Sequence, residues 1–208
     1  MNNETKILFF DTETSDFIKK DLPANDPKQA WVVQIGALLA TPEKTIDSLN
    51  TIIQANGRSI NHYAEEVHKI SVFKADEEGI PELEAAEKFG LLLRQADLVV
   101  GHNFDFDWKY AVHLLERNMD GLSDEARSAF YLDLPNHCTM KDKNVVKFCG
   151  LKNKVGRAKW PKLIELHEIL FEKGFDGAHD AFADITATRD CFFELVRREI
   201  ITINLSEI

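Results

Sequence analysis

The chain has 208 residues, is 44% hydrophobic and carries a net charge of −10. That suits a soluble globular fold and argues against non-specific nucleic-acid binding, which basic surface drives. No basic segment followed by an apolar one opens the sequence, and no apolar stretch approaches the roughly 20 residues that span a bilayer, so no secretory signal and no membrane partner are expected.

The first strand candidate is 6–12, and it runs from Ile7-Leu8-Phe9-Phe10 straight into Asp11-Thr12-Glu13. Side chains i and i+2 share a face of a strand, so Asp11 and Glu13 point one way and Thr12 the other. Two carboxylates this close repel unless a cation bridges them or one takes up a proton. Mg²⁺ or Mn²⁺ suits all-oxygen ligands of this kind. Residues 15–30, with Pro23 and Pro27, read as a surface excursion near that strand's end. Strands at 31–40 and 48–54 follow with only loops between, an antiparallel meander.

Helical patterns take over at 60–70 and at 81–96, the latter opening on Pro81. A strand at 97–102 leads into His102-Asn103 and a helix at 106–119, where Asp105 and Asp107 both sit near the favourable N-terminus. Further helices are expected at 123–131, 161–173 and 180–199. Strands first, then a helix–strand–helix unit, then helices indicate a mixed α/β domain. The only linker candidate, 150–158, is too short to separate two domains, so residues 1–208 read as one domain.

Charge is uneven along the chain. Residues 141–162 hold eight Lys or Arg and one Asp, a local net of +7 against −17 for the remainder. Such a segment is either a solvated loop or a local grip on a polyanion. In the second reading Lys152, Lys154 and Arg157 steer a strand toward the acidic residues, and Trp160 packs in the core or stacks on a base, core packing being favoured. Cys138, Cys149 and Cys191 are odd in number and lack ligand spacing, the pattern of reduced thiols in a cytoplasmic protein. Near the C-terminus, His179 precedes a helix that carries Asp184 between Ala183 and Ile185, where a carboxylate needs a partner.

Each of these signals is mediocre alone, but their order is specific. "FFDTETS", "HNFDFD" and "HDAFAD" resemble the three motifs of the DnaQ-like 3′→5′ exonucleases of the DEDDh type, a family that includes the proofreading subunit of bacterial replicative DNA polymerase. The resemblance runs from about residue 6 to 196 and selects Asp107 over Asp105. A tyrosine subtype carries Tyr where this chain has Asp180, so the histidine subtype matches better. "VVQIGALL" and "AEEVHKIS" are similar to further family segments, with Lys69 where Gly is usual and Asp16 where the first motif often has Gly.

The resemblance implies a ribonuclease H-like α/β fold, a central mixed five-stranded sheet flanked by helices. It implies two divalent cations, Mg²⁺ or Mn²⁺, held by Asp11, Glu13, Asp107 and Asp184, with His179 as general base. Thr12, Thr14 and Asn103 join Lys152, Lys154 and Arg157 as candidate substrate contacts. The implied activity is release of nucleoside 5′-monophosphates from the 3′ end of single-stranded or frayed DNA, in proofreading or repair, with a DNA polymerase as a candidate partner. An exoribonuclease on short RNA is the alternative within the family. A non-catalytic nucleic-acid-binding or polymerase-tethered module and a small-ester phosphohydrolase are the alternatives outside it.

Overall fold

Five strands make one mixed sheet in the order β3-β2-β1-β4-β5. They are β1 (Ile7–Thr14), β2 (Val32–Ala40), β3 (Thr45–Ile52), β4 (Leu98–Gly101) and β5 (Asn136–Cys138). β1, β2 and β3 form the antiparallel meander, and β4 and β5 run parallel to β1. The parallel pairing requires a crossover, which helices α1 (His62–His68), α2 (Val72–Glu78) and α3 (Glu82–Leu93) supply. α4 (Phe104–Asn118), a 3₁₀ turn at Met119–Gly121, and α5 (Asp124–Ala129) precede β5. α6 (Lys143–Cys149), α7 (Leu163–Phe171) and α8 (Ala181–Arg197) complete the chain. The computed structural model describes residues 5–176 and 180–203.

The central strands β2, β1 and β4 are largely buried, β3 at the edge is mostly exposed, and the alternation of β1 divides the core. Leu8 and Phe10 join the cluster of Phe89, Leu93, Tyr110, Leu114 and Ala126, against α3, α4 and α5. Ile7 and Phe9 join Leu166, Leu170, Ile185 and Phe192, against α7 and α8. Continuing the alternation, Asp11 and Glu13 fall on the α8 side and Thr12 on the α4 side. β2 is buried along its whole length, as a strand covered on both faces should be.

The sequence expectations for the four longer strands hold within two or three residues at each end. Three elements were not anticipated. β5 has three residues and supplies the fifth strand. α2 is capped by Ser71, whose side chain accepts from Lys74 N–H. α6 lies inside the basic segment, capped by Asp142 at its start and by Gly150 in the left-handed region (φ 62°) at its end. The segment is therefore part helix, not one solvated loop. Residues 150–158 are not a linker either: Lys152 and Ala158 bridge antiparallel, and the Asn153 side chain accepts from Val155 N–H and Arg157 N–H to close a tight turn. Trp160 is 58% exposed, which corrects its assignment to the core. Among the described residues no helix is long and apolar enough to cross a membrane.

Candidate active site

The end of β1 carries the carboxylates, and α8 reaches them by an unusually close approach. Asp11 pairs in register with Gly36 of β2. A Cβ on Gly36 would lie 2.8 Å from the carbonyl oxygen of Ala181, the first residue of α8. Only glycine lets the helix start sit this low on the sheet. One turn further along α8 is Asp184. Carboxylate oxygens of Asp11, Glu13 and Asp184 all lie within 4.8 Å of one another.

Asp107 arrives from the other face. It is 3% exposed in the first turn of α4. Its Oδ1 accepts from Thr12 N–H at 3.1 Å and from Thr12 Oγ1–H at 2.8 Å. The structure thus brings three of the four expected ligands into one cluster and fixes the fourth on Thr12, from where its charge acts on Asp11 more strongly than that of Asp184 or Glu13. Asp105, its rival in the sequence, turns outward and pairs with Lys141 Nζ at 2.7 Å.

The electrostatics are those of a site built for positive charge. Burial, then the charges of Asp107 and Asp184, hold the Asp11 carboxyl well above the usual carboxylate range. Burial and then Asp184 push Glu13 up to about 8. Burial pushes Asp107 up to about 7 against the opposing pull of the two Thr12 hydrogen bonds. Among the described residues no cationic side chain offsets any of the three. Hard oxygen donors at this spacing, with unbalanced negative charge, fit a Mg²⁺-like divalent cation.

His102 is not a catalytic base here. Pro161 offers only a carbonyl, so His102 Nε2–H donates to it (3.1 Å), and Nδ1 then accepts from Thr139 Oγ1 (2.9 Å). Burial lowers its pKa to about 4, so the ring is a neutral strut tying the chain after β5 to the start of α7. His179 falls outside the described residues. Its neighbour Asp180 caps α8, accepting from Phe182 N–H and Ala183 N–H at 3.1 Å each.

Of the expected substrate contacts, Thr12 is 5% exposed and its hydroxyl is committed to Asp107. Thr14 and Thr12 line a cavity of about 390 Å³ beside Glu13, walled by Phe17, Tyr63, Val67 and Phe106. Asn103 adopts the left-handed conformation (φ 74°) at the start of α4, a region Asn tolerates better than most residues. Lys152, Lys154 and Arg157 are exposed on the 152–158 turn.

Sequence reasoning did not single out Asp180 or Gln34. Gln34 is 6% exposed and opposite Glu13, and its Nε2 donates to Asn50 Oδ1 and to Asp180 Oδ2. A glutamine inside an otherwise apolar strand was the available signal. The cavity walls were also missed, because Phe17, Tyr63 and Val67 are exposed apolar residues without a periodic pattern. Two departures from the family pattern have local explanations. Lys69 takes the left-handed conformation (φ 61°) where Gly is usual, ending α1. Asp16 replaces Gly without strain, its side chain accepting from Phe17 N–H and Asn61 Nδ2.

The sheet order, the helices on both faces and the strand-borne carboxylates define a ribonuclease H-like α/β fold. The family model RNase T, described as an exonuclease, matches residues 8–192, and the chain belongs to that family, the DnaQ-like DEDDh exonucleases. No curated protein matches by sequence. Among solved structures, the chain is similar to E. coli Exonuclease I in complex with a dA16 oligonucleotide, with a TM-score of 0.71 and 18% identity over 94% of this chain and 42% of that one. It is also similar to a moderately thermophilic Exonuclease I from Methylocaldum szegediense, with a TM-score of 0.68 and 17% identity over 94% of this chain and 41% of that one. The chain thus spans about two fifths of the length of these neighbours.

Proposed function

We propose that the chain is a metal-dependent 3′→5′ exonuclease that removes nucleoside 5′-monophosphates from single-stranded or frayed DNA. The observation that carries this reading is the convergence of Asp11, Glu13 and Asp184 within 4.8 Å, beside a cavity that Glu13 helps to line. Asp11, Glu13 and Asp184 would hold divalent cations, Mg²⁺ or Mn²⁺, with Asp107 assisting through Thr12-fixed geometry and intervening water. When bound, the cations supply activation of the attacking water and stabilisation of the leaving 3′-oxygen.

The chain's own residues do the rest. Glu13 and Asp11 are aimed by a strand whose other face is locked into the core, so their positions are fixed before substrate arrives. Phe17, Tyr63, Val67 and Phe106 offer an apolar wall to the terminal nucleotide, and Thr14 and Asn103 offer it polar contacts. His179 takes the proton of the attacking water, a role that suits an imidazole near neutral pH. DNA is favoured over RNA because the neighbouring Exonuclease I structures hold a dA16 and a dT13 oligonucleotide. The sheet and its two helical layers are read as one exonuclease domain. The three free cysteines suit a reducing cytoplasmic setting. A role in proofreading or repair, on a polymerase or apart from one, is compatible with this chemistry.

The test uses matched DNA and RNA strands labelled at the 5′ end, with Mg²⁺ or with EDTA. Progressive shortening of the labelled DNA in Mg²⁺ is expected, faster than that of RNA. Release of the label as a mononucleotide in the first turnovers would mean attack from the 5′ end and would defeat the reading. Hydrolysis confined to small phosphodiesters would point to a different enzyme class.

A further inference from the structure

We propose that Trp160 and Lys141 form a stacking platform for a nucleobase upstream of the strand's 3′ end, with the basic turn at 152–157 engaging the phosphates beyond it. The inference rests on the reading of the chain as a single-strand nuclease and adds a second subsite to it.

Trp160 is 58% exposed, whereas Trp31 is 2% exposed and Trp108 packs on Phe10 and Phe104. An exposed indole has no folding role that its area would explain. Lys141 Nζ lies 5.6 Å from its ring centroid and is held there by the 2.7 Å ion pair to Asp105, in the first turn of α4. The platform is also fixed to the carboxylate end of the sheet. Pro161, next to Trp160, accepts from His102, which follows the last residue of β4, and β4 pairs directly with β1.

The adjoining turn is preformed. Lys159 N–H donates to Leu151 O, Asn153 N–H donates to Arg157 O, and the Asn153 side chain closes the tip. It presents Lys152, Lys154 and Arg157 to solvent, and none of the three pairs with a carboxylate among the described residues. On a chain of net charge −10, three unpaired cations on a rigid turn next to an exposed indole match what single strands recognise. Their phosphates need a cationic track and their bases a π-face, independent of sequence.

The test is titration of an Asp11→Asn chain, which binds without cutting on the reading above, with octathymidylate while following indole emission and the anisotropy of a 5′-fluorescein label. Saturable quenching is expected, and Trp160→Phe should abolish it while keeping Kd within a few-fold. Trp160→Ala should weaken binding about tenfold or more. Replacing Lys152, Lys154 and Arg157 together by Ala should lower the slope of log affinity against log salt by about 2, given roughly 0.7 per phosphate contact on a single strand. If the wild-type chain cuts octathymidylate while its emission, the Trp160→Ala affinity and the salt slope all stay unchanged, the platform is overturned and the nuclease reading survives.

Discussion

Glu13→Gln should stabilise the metal-free chain, and the gain should depend on pH. The Glu13 carboxyl moves from 4.5 to about 8 on folding, through burial first and the charges of Asp184, Asp107 and Asp180 next. A folded-state pKa above the unfolded one means that the native chain binds more protons, so stability falls as pH rises through that window. At about 1.4 kcal/mol per unit, the cost at about pH 7.5 reaches at most ~4 kcal/mol. Glutamine is isosteric and neutral but must still be desolvated, so the expected gain is about 1–3 kcal/mol near pH 8. For a chain of this size that raises Tm by roughly 3–10 °C. At about pH 4 Glu13 is mostly protonated in both states, and the gain should nearly vanish. Calorimetric Tm values in EDTA at the two pH values measure the difference. A gain equal at both, or a loss at the higher pH, would refute the electrostatic account. Mg²⁺ should reverse the order, raising the Tm of the wild type more than that of the variant.

Thr12→Val removes the hydroxyl that donates to Asp107 Oδ1 at 2.8 Å, which should cost about 1–3 kcal/mol in chemical denaturation. It should also move the acid limb of the activity profile to higher pH, because Asp107, already at about 7, loses a bond that favours its charged form. Gly36→Ala forces Ala181 and the start of α8 away from β2. Lower thermal stability, by about 1–3 kcal/mol, and weaker Mn²⁺ binding by calorimetry should follow together. His179→Ala should slow hydrolysis about 10²-fold or more while leaving Mn²⁺ affinity within a few-fold, so an equal loss of both would assign His179 to metal holding instead.

The sequence carried the outline of the fold because its strongest signals are physical ones. Apolar runs at β1, β2 and β4 had to be buried, and Pro81 and Pro161 had to precede helices. β5 was invisible because three residues, one exposed and two half-buried, that extend a parallel sheet need no apolar pattern of their own. α6 was hidden by its lysines, although Asp142 and Gly150 mark its two ends. At the site, alternation along β1 placed Asp11 and Glu13 on one face, and motif spacing chose Asp107 over the outward-facing Asp105. That Asp107 would approach from the opposite face and be held by Thr12 depends on how α4 packs, which no local pattern encodes. Trp160 was misplaced because large aromatics are usually buried, and sequence alone does not show a lysine waiting over its ring.

The most direct test of the central claim is the Asp184→Asn chain on a 5′-labelled DNA strand, with and without Mg²⁺. The account predicts Mg²⁺-dependent shortening from the 3′ end by the wild type, and a loss of at least about 10²-fold in the variant with its Tm in EDTA equal or higher. Shortening by the variant at near the wild-type rate would contradict it.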